Sequence, residues 1–319
     1  MKRIAVFPGQ GSQFVGMGRA LAEALPEARA IFAEVDEALE QKLSTIIFEG
    51  PQDALTLTAN AQPALMATSL AAVRALEAVA GRPIEAIVDL AAGHSLGEYS
   101  ALAAMRALPV ADAARLLRLR GEAMQEAVPV GRGAMAAVLG LPIGAVEAVA
   151  EEASREGSPC DVANDNSEGQ IVVSGAADAV ERACVAARAR GAKRAVPLPV
   201  SAPFHSRLMA PAAERLAAAL AQTRFAAPAR PVIANVTAAP VDDPAQLADL
   251  LTRQVTGRVR WRESMAAMAE AGVAAVIECG AGKVLTALAR RAVPGAAMVT
   301  LATPQDIEAF VATLHESRE

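Results

Sequence analysis

The sequence predicts an α/β protein: a largely parallel sheet with a small ferredoxin-like unit inserted into it. Three observations lead there. Short apolar runs, closed by Gly, Pro or Asn, alternate with longer stretches of helical periodicity. One of the junctions reads Gly93-His94-Ser95-Leu96-Gly97, a tight turn between an apolar run and a helix-forming run. Residues 134–198 follow the order β-α-β-β-α-β, the split unit of ferredoxin-like folds.

The chain opens on Ile4-Ala5-Val6-Phe7, a first buried strand stopped by Pro8-Gly9. The Gly9-Gln10-Gly11-Ser12-Gln13 loop follows. It lacks the Gly-Lys-Ser/Thr of a P-loop and the third glycine of a dinucleotide fingerprint. It reads either as a plain βα turn or as a wall of an active site. Residues 16–48 have helical spacing. Residues 62–80 form a helix apolar on nearly every side, as expected of one packed deep in a core. Residues 87–92 are the strand before the turn, and 96–105 the helix after it.

That arrangement is a nucleophile elbow. Glycines on both sides of Ser95 let strand and helix approach closely. The hydroxyl is pushed out at the positive end of the helix, where free N–H groups can bind an oxyanion. A serine that merely caps a helix would leave Gly97 without a purpose.

In the helix predicted over 110–127, Ala113, Leu116, Leu117, Met124 and Ala127 form one apolar stripe, and Arg120 falls on it. A guanidinium there needs an anion. It can snorkel to solvent, pair with an internal carboxylate, or take a substrate carboxylate in a bidentate contact.

From residue 131 the composition changes. Strands are expected at 134–139, 161–164, 170–174 and 194–198, helices at 143–154 and 177–189, and a hairpin turn at 164–169. The organisation is therefore residues 1–128 and 199–319 for the large unit and 129–198 for the insertion. The chain re-enters the large unit at Ser201-Ala202-Pro203-Phe204-His205-Ser206. His205 lies in a proline-constrained loop at the start of a helix over 207–222, a position suited to a general base. His94 should point away from Ser95 and act in packing or support. His315 falls in the charged tail, where it should be solvated. Strands at 232–235, 274–278 and 299–301 and helices at 244–255, 263–271 and from 305 complete the α/β pattern. Gly280-Ala281-Gly282-Lys283 opens one more helix, whose start offers an anion-binding possibility.

Composition narrows the function classes. The 319 residues are 53% hydrophobic, enough for a sizeable core. Net charge is −5 without a basic run, and aromatics are 3%, which argues against a nucleic-acid partner. Cys160, Cys184 and Cys279 are far apart and His94, His205 and His315 scattered, so neither disulfides nor a metal centre is expected. No apolar stretch is read as approaching a membrane span, and the run before Pro8 is too short for a signal-peptide core. A cytoplasmic protein, without membrane contact, is expected.

Several motifs occur in order: Phe7-Pro8-Gly9-Gln10-Gly11-Ser12-Gln13, Gly93-His94-Ser95-Leu96-Gly97-Glu98-Tyr99, Arg118-Leu119-Arg120-Gly121 and Pro203-Phe204-His205-Ser206. With Met124-Gln125-Glu126-Ala127-Val128-Pro129 and the block from Glu278 to Leu285, the chain resembles the malonyl-CoA:acyl-carrier-protein transacylases over its whole length. The resemblance implies an α/β-hydrolase-like large subdomain with an inserted ferredoxin-like one. It implies Ser95 as nucleophile, His205 as base, the N–H groups of Gln10 and Leu96 as oxyanion hole, and Arg120 as partner of the malonyl carboxylate. Gln254 is similar to the residue whose backbone carbonyl orients the histidine. Phe204 should narrow the pocket against a methyl-branched malonyl group. The implied reaction is ping-pong transfer from malonyl-CoA to acyl carrier protein for fatty acid synthesis. It needs no cofactor, coenzyme A being part of the substrate, and a monomer is expected.

Lys193 and Arg194, and less so Arg190 and Lys283, are candidates for the coenzyme A phosphates and the acidic carrier, or are ordinary solvated charges. A malonyl transferase of a polyketide or malonate-decarboxylase system would carry the same motifs. A serine hydrolase would use the same elbow without needing a buried arginine. A non-catalytic carrier-docking protein would need neither Ser95 nor His205.

Overall fold

The computed structural model describes residues 1–316. Its ten strands are β1 (Lys2–Phe7), β2 (Leu90–Gly93), β3 (Gly133–Leu139), β4 (Cys160–Ser167), β5 (Gln170–Ala176), β6 (Arg194–Pro197), β7 (Val232–Ile233), β8 (Pro240–Val241), β9 (Val273–Cys279) and β10 (Ala297–Leu301). They form two sheets. The larger has the order β10-β9-β1-β2-β7-β8, all parallel except the short edge strand β8. The smaller, β4-β5-β3-β6, is antiparallel throughout, with helices Ile143–Ala153 and Ala177–Ala189 completing the ferredoxin-like order.

The large sheet is covered on both faces, as parallel sheets require. One face packs on a broad core containing Phe7, Ala91 and the helix Thr58–Ala80; the other packs Ile4, Val6 and Ala92 against Trp261, Met265 and Leu285. The small sheet has its own core around Val138, Val149, Val173 and Val180. Thr58–Ala80 begins four residues before the predicted start, with Pro63 tolerated in its second turn. It corrects one expectation. By length and composition this helix can cross a membrane, yet it is largely buried inside the protein. Its apolarity is that of a central core helix.

Three further expectations shift. The apolar run at 87–92 pairs only from Leu90: Ile87 and Val88 are buried while leaving the helical turn Ile84–Ala86, so burial there is not strand pairing. The segment 164–169 is mostly strand; β4 continues through Ser167, and the turn is Glu168-Gly169. Its polar residues are tied across the seam between the sheets. Asp165 receives the Arg262 guanidinium at 2.9 Å, and Asp165 N–H donates to the Val259 carbonyl at 3.0 Å. Finally, the strand at 232–235 pairs over two residues only, which frees Asn235 for the site described below.

The Gly280–Lys283 turn does lead into a helix, Val284–Ala292, but its anion is internal. The buried Glu278 carboxylate accepts from the backbone of Leu285 at 3.0 Å and Thr286 at 2.8 Å. That helix start is occupied. The His315 side chain lies outside the described residues.

The loops at the carboxyl ends of the adjacent strands β1 and β2 carry Gln10 and Ser95, where open α/β sheets place their sites. The approach there is close. A Cβ on Gly93 would lie 1.8 Å from the Gly97 carbonyl oxygen, and one on Gly97 would lie 2.2 Å from that of Phe7. Gly97→Ala is therefore expected to lower unfolding free energy by about 3 kcal/mol, the upper range for overpacking against backbone. Denaturant unfolding measures it; an unchanged midpoint would contradict the close approach.

Candidate active site

Ser95 stands at the elbow with φ 54°, in the left-handed region that non-glycine residues seldom occupy. Asn235 holds it there: its Oδ1 accepts from Ser95 N–H at 2.7 Å, and its Nδ2 donates to the Gly93 carbonyl at 2.7 Å. His205 is equally strained, with φ 56°. Its loop is braced by the Ser206 hydroxyl, which donates to the Pro203 carbonyl at 2.7 Å. Two strained residues, far apart in sequence, thus face each other. Such strain persists only where its surroundings over-determine it, and it clusters at functional sites.

The Ser95 hydroxyl lies 2.7 Å from His205 Nε2. On its other side, His205 Nδ1 faces two backbone carbonyls, Gln254 at 2.9 Å and Gly257 at 3.1 Å. Carbonyls only accept, so the ring proton sits on Nδ1 and Nε2 presents its lone pair to the serine. Burial, with the nearby Arg120 charge second, pulls the His205 pKa down to about 3. The imidazole is accordingly a neutral proton acceptor at ordinary pH.

Arg120 is 2% exposed. Helix Val110–Glu126 carries it, and the following Gly121 allows close contact with Ala59, where a Cβ would lie 2.6 Å from Cα. Its Nη1 donates to Gln62 Oε1 at 2.6 Å; its Nη2 donates to Gln254 Oε1 at 3.0 Å and to the Ser95 hydroxyl at 3.1 Å. The guanidinium also sits 5.9 Å from the Tyr99 ring centre. Burial depresses its pKa, opposed by Tyr99 and Glu98, but arginine stays charged in proteins. Its direct acceptors are neutral, and Arg120 Nε has no partner among the described residues. Of the three possibilities for this residue, neither snorkelling nor an internal ion pair occurs among the described residues.

These groups line a cleft of ≈ 390 Å³ between the sheets. Gln10, Leu96, Phe204 and His94 border it, together with Met135, Asn164 and Leu198 from the small subdomain. Neither Gln10 nor Leu96 has a hydrogen-bond partner for its backbone N–H among the described residues. His94 contributes by support: its ring contacts Asn166 Oδ1 at 2.8 Å and packs 5.6 Å from Trp261. Lys193 and Arg194 are exposed and do not line the cleft. They sit at the far end of β6, whose continuation, Leu198 to Val200, reaches it. Arg190 is paired with Glu152 at 2.7 Å, and Lys283 borders a separate cavity with Arg262, Arg290 and Arg291.

Sequence reasoning missed Gln62, Glu98, Asn235 and the Gly257 carbonyl. A polar side chain at the start of an otherwise apolar helix signals Gln62. Nothing local signals the others.

The fold and this constellation, a hydroxyl beside a neutral imidazole and a buried guanidinium, fit an acyl-transfer enzyme. The chain matches the acyl transferase domain family over residues 4–315. It is 46% identical to a malonyl CoA-acyl carrier protein transacylase of Bacillus subtilis (strain 168), covering 100% of this chain and 99% of the relative. A crystal structure of acyl-carrier-protein-S-malonyltransferase from Bartonella henselae superposes with TM-score 0.95 at 53% identity, over 99% of this chain and 100% of that one. A malonyl-transacylase solved in complex with its type II PKS acyl-carrier protein superposes with TM-score 0.93 at 39% identity, over 98% and 100%. The chain belongs to the malonyl CoA-acyl carrier protein transacylase family.

The low His205 pKa carries a sign. The imidazole is neutral when folded and gains its proton only as pH falls toward about 3. Labelling of Ser95 by an uncharged fluorophosphonate should keep its rate from about pH 7 to about pH 5, below the ordinary histidine value of about 6.5. A tenfold fall across that interval would contradict a neutral buried base.

Proposed function

We propose that the chain transfers a malonyl group from malonyl-CoA to the phosphopantetheine thiol of acyl carrier protein, by way of a malonyl ester on Ser95. One observation carries this reading: a buried guanidinium, satisfied only by neutral acceptors, at 3.1 Å from the nucleophilic hydroxyl. A hydrolase of neutral esters has no use for it.

The steps follow from the geometry. His205 Nε2 takes the Ser95 proton as the hydroxyl oxygen bonds to the thioester carbon. The carbonyl oxygen becomes an oxyanion and is received by the N–H groups of Gln10 and Leu96. The C–S bond then breaks, and the sulfur of coenzyme A leaves with the proton from His205. In the second half, His205 deprotonates the carrier thiol, its sulfur attacks the ester, and Ser95 regains its proton. The Gln254 and Gly257 carbonyls hold the imidazole in one tautomer throughout.

Arg120 exchanges its contact with the serine hydroxyl for the malonyl carboxylate. Phe204, at the cleft wall, is the side chain we assign to disfavour a methyl branch. Every group comes from a single chain, so one copy suffices. Coenzyme A arrives within the substrate and no resident cofactor is required; the reaction suits a cytoplasmic enzyme of fatty acid synthesis. Lys193 and Arg194, on the strand leading to the cleft, are the cations we assign to the acidic carrier or the coenzyme A phosphates. The carrier complex of a structural relative supports a carrier as acceptor.

Two experiments test the reading. Intact mass after mixing with malonyl-CoA should show one malonyl adduct on the wild-type protein and none on Ser95→Ala; an adduct on the variant would overturn the assignment. Arg120→Ala should cut malonyl transfer and relatively favour acetyl, because facing an acetyl methyl leaves the buried charge unpaired at a cost on the order of 3–5 kcal/mol. Competition between malonyl-CoA and acetyl-CoA measures it, and an undiminished malonyl preference would refute it.

A further inference from the structure

Glu98 is buried at 3% exposure behind the elbow and takes no part in the steps above. It forms no ion pair among the described residues; its acceptor oxygen Oε2 instead meets two donors. One is the Asn235 backbone N–H, at 3.0 Å. The other is the side-chain amide of Gln254, at 2.8 Å. A carboxylate is expensive to bury, and an uncharged residue of similar size would fill the space at less cost.

The Gln254 amide shows what the carboxylate accomplishes. The two ends of an amide have nearly the same shape, so its partners alone decide which way it faces. Gln254 Nε2 has three acceptors: Glu98 Oε2 at 2.8 Å, the Ser95 carbonyl at 3.0 Å and Asn235 Oδ1 at 3.4 Å. Glu98 is the nearest and the only one that is ionisable. With Nε2 committed to that side, Oε1 must face Arg120, whose Nη2 donates to it at 3.0 Å. The opposite orientation would set amide hydrogens against the guanidinium and an amide oxygen against Glu98 and the Ser95 carbonyl. Glu98 also holds the backbone of Asn235, whose side chain fixes Ser95.

We propose that Glu98 is a positioning residue: it orients the Gln254 amide and thereby fixes Arg120 to receive the acyl carboxylate. The inference rests on the malonyl-transfer reading. Burial raises the Glu98 pKa to about 7, while the bonds from Asn235 and Gln254 and the charge of Arg120 pull it down, so all three neighbours favour the anion.

The test compares Glu98→Ala with Glu98→Gln, using acylation of Ser95 by malonyl-CoA and by acetyl-CoA. Glu98→Ala should raise the malonyl-CoA KM about tenfold, the scale of one hydrogen bond to a charged group, with a smaller change in kcat. The acetyl-CoA KM should rise less, since acetyl does not use Arg120. Glu98→Gln retains an acceptor oxygen for both donors and should recover most of the malonyl preference. If Glu98→Ala does not fold, Glu98→Asp, which withdraws the carboxylate by one methylene, should show the same selective rise. Equal effects on malonyl and acetyl, or a Gln variant no better than the Ala variant, would overturn the inference. Wild-type protein that fails to take malonyl at all would overturn the transfer reading along with it, and is recognised before any variant is made.

Discussion

A guanidinium buried beside the Ser95 hydroxyl constrains everything placed near it. Arg120 cannot shed its proton, and its position denies it water. The protein answers with oxygens that carry no formal charge, from Gln62, Gln254 and Ser95. These satisfy hydrogen-bond geometry while leaving the charge unneutralised. On the proposed reading, an incoming carboxylate would meet a cation already held in place, and discrimination between malonyl and acetyl would follow from that charge. The same cation disfavours a second positive charge nearby and helps keep His205 neutral. Substrate selection and readiness of the base thus share a physical source.

The reacting pair is held by strain as well as by bonds. Ser95 and His205 both occupy left-handed backbone conformations, costing on the order of 1–3 kcal/mol each. The restraints come from separate parts of the chain: Asn235 from the end of β7, the Gly257 and Gln254 carbonyls from the end of helix Pro244–Thr256, and Gln62 from the core helix. Rigid elements converge on one cleft, so the hydroxyl, imidazole and guanidinium meet at hydrogen-bond distances. The small subdomain closes the other side, clamped through Asp165 and Asn166 on β4.

What could be read from the sequence follows from how each residue signals itself. Ser95 announces itself through two glycines forced by a close crossing, and Arg120 through a charge on an otherwise apolar stripe. Glu98 carries a charge too, but its helix is buried on all sides, so there is no apolar face for it to violate. Asn235 follows a two-residue strand, where a polar residue looks like any loop. Asn164 to Asn166 have the composition of a turn, yet they pair with β5 as strand and find further partners on distant segments, His94, Val259 and Arg262. Local periodicity encodes which face is buried. It does not encode which polar groups will find one another across a seam.

The absence of a carboxylate behind His205 has its own logic. An Asp or Glu at that place would stabilise the imidazolium better than the carbonyls of Gln254 and Gly257 do. It would also add an anion within reach of Arg120, and two carboxylates would then compete for one guanidinium. Neutral carbonyls fix the tautomer and leave the cation to the substrate. The carboxylate the site does contain, Glu98, is separated from Arg120 by the Gln254 amide, which donates to one and accepts from the other. An amide in that place transmits orientation without cancelling charge, and on the proposed reading it leaves the ion pair for the acyl group's own carboxylate to complete.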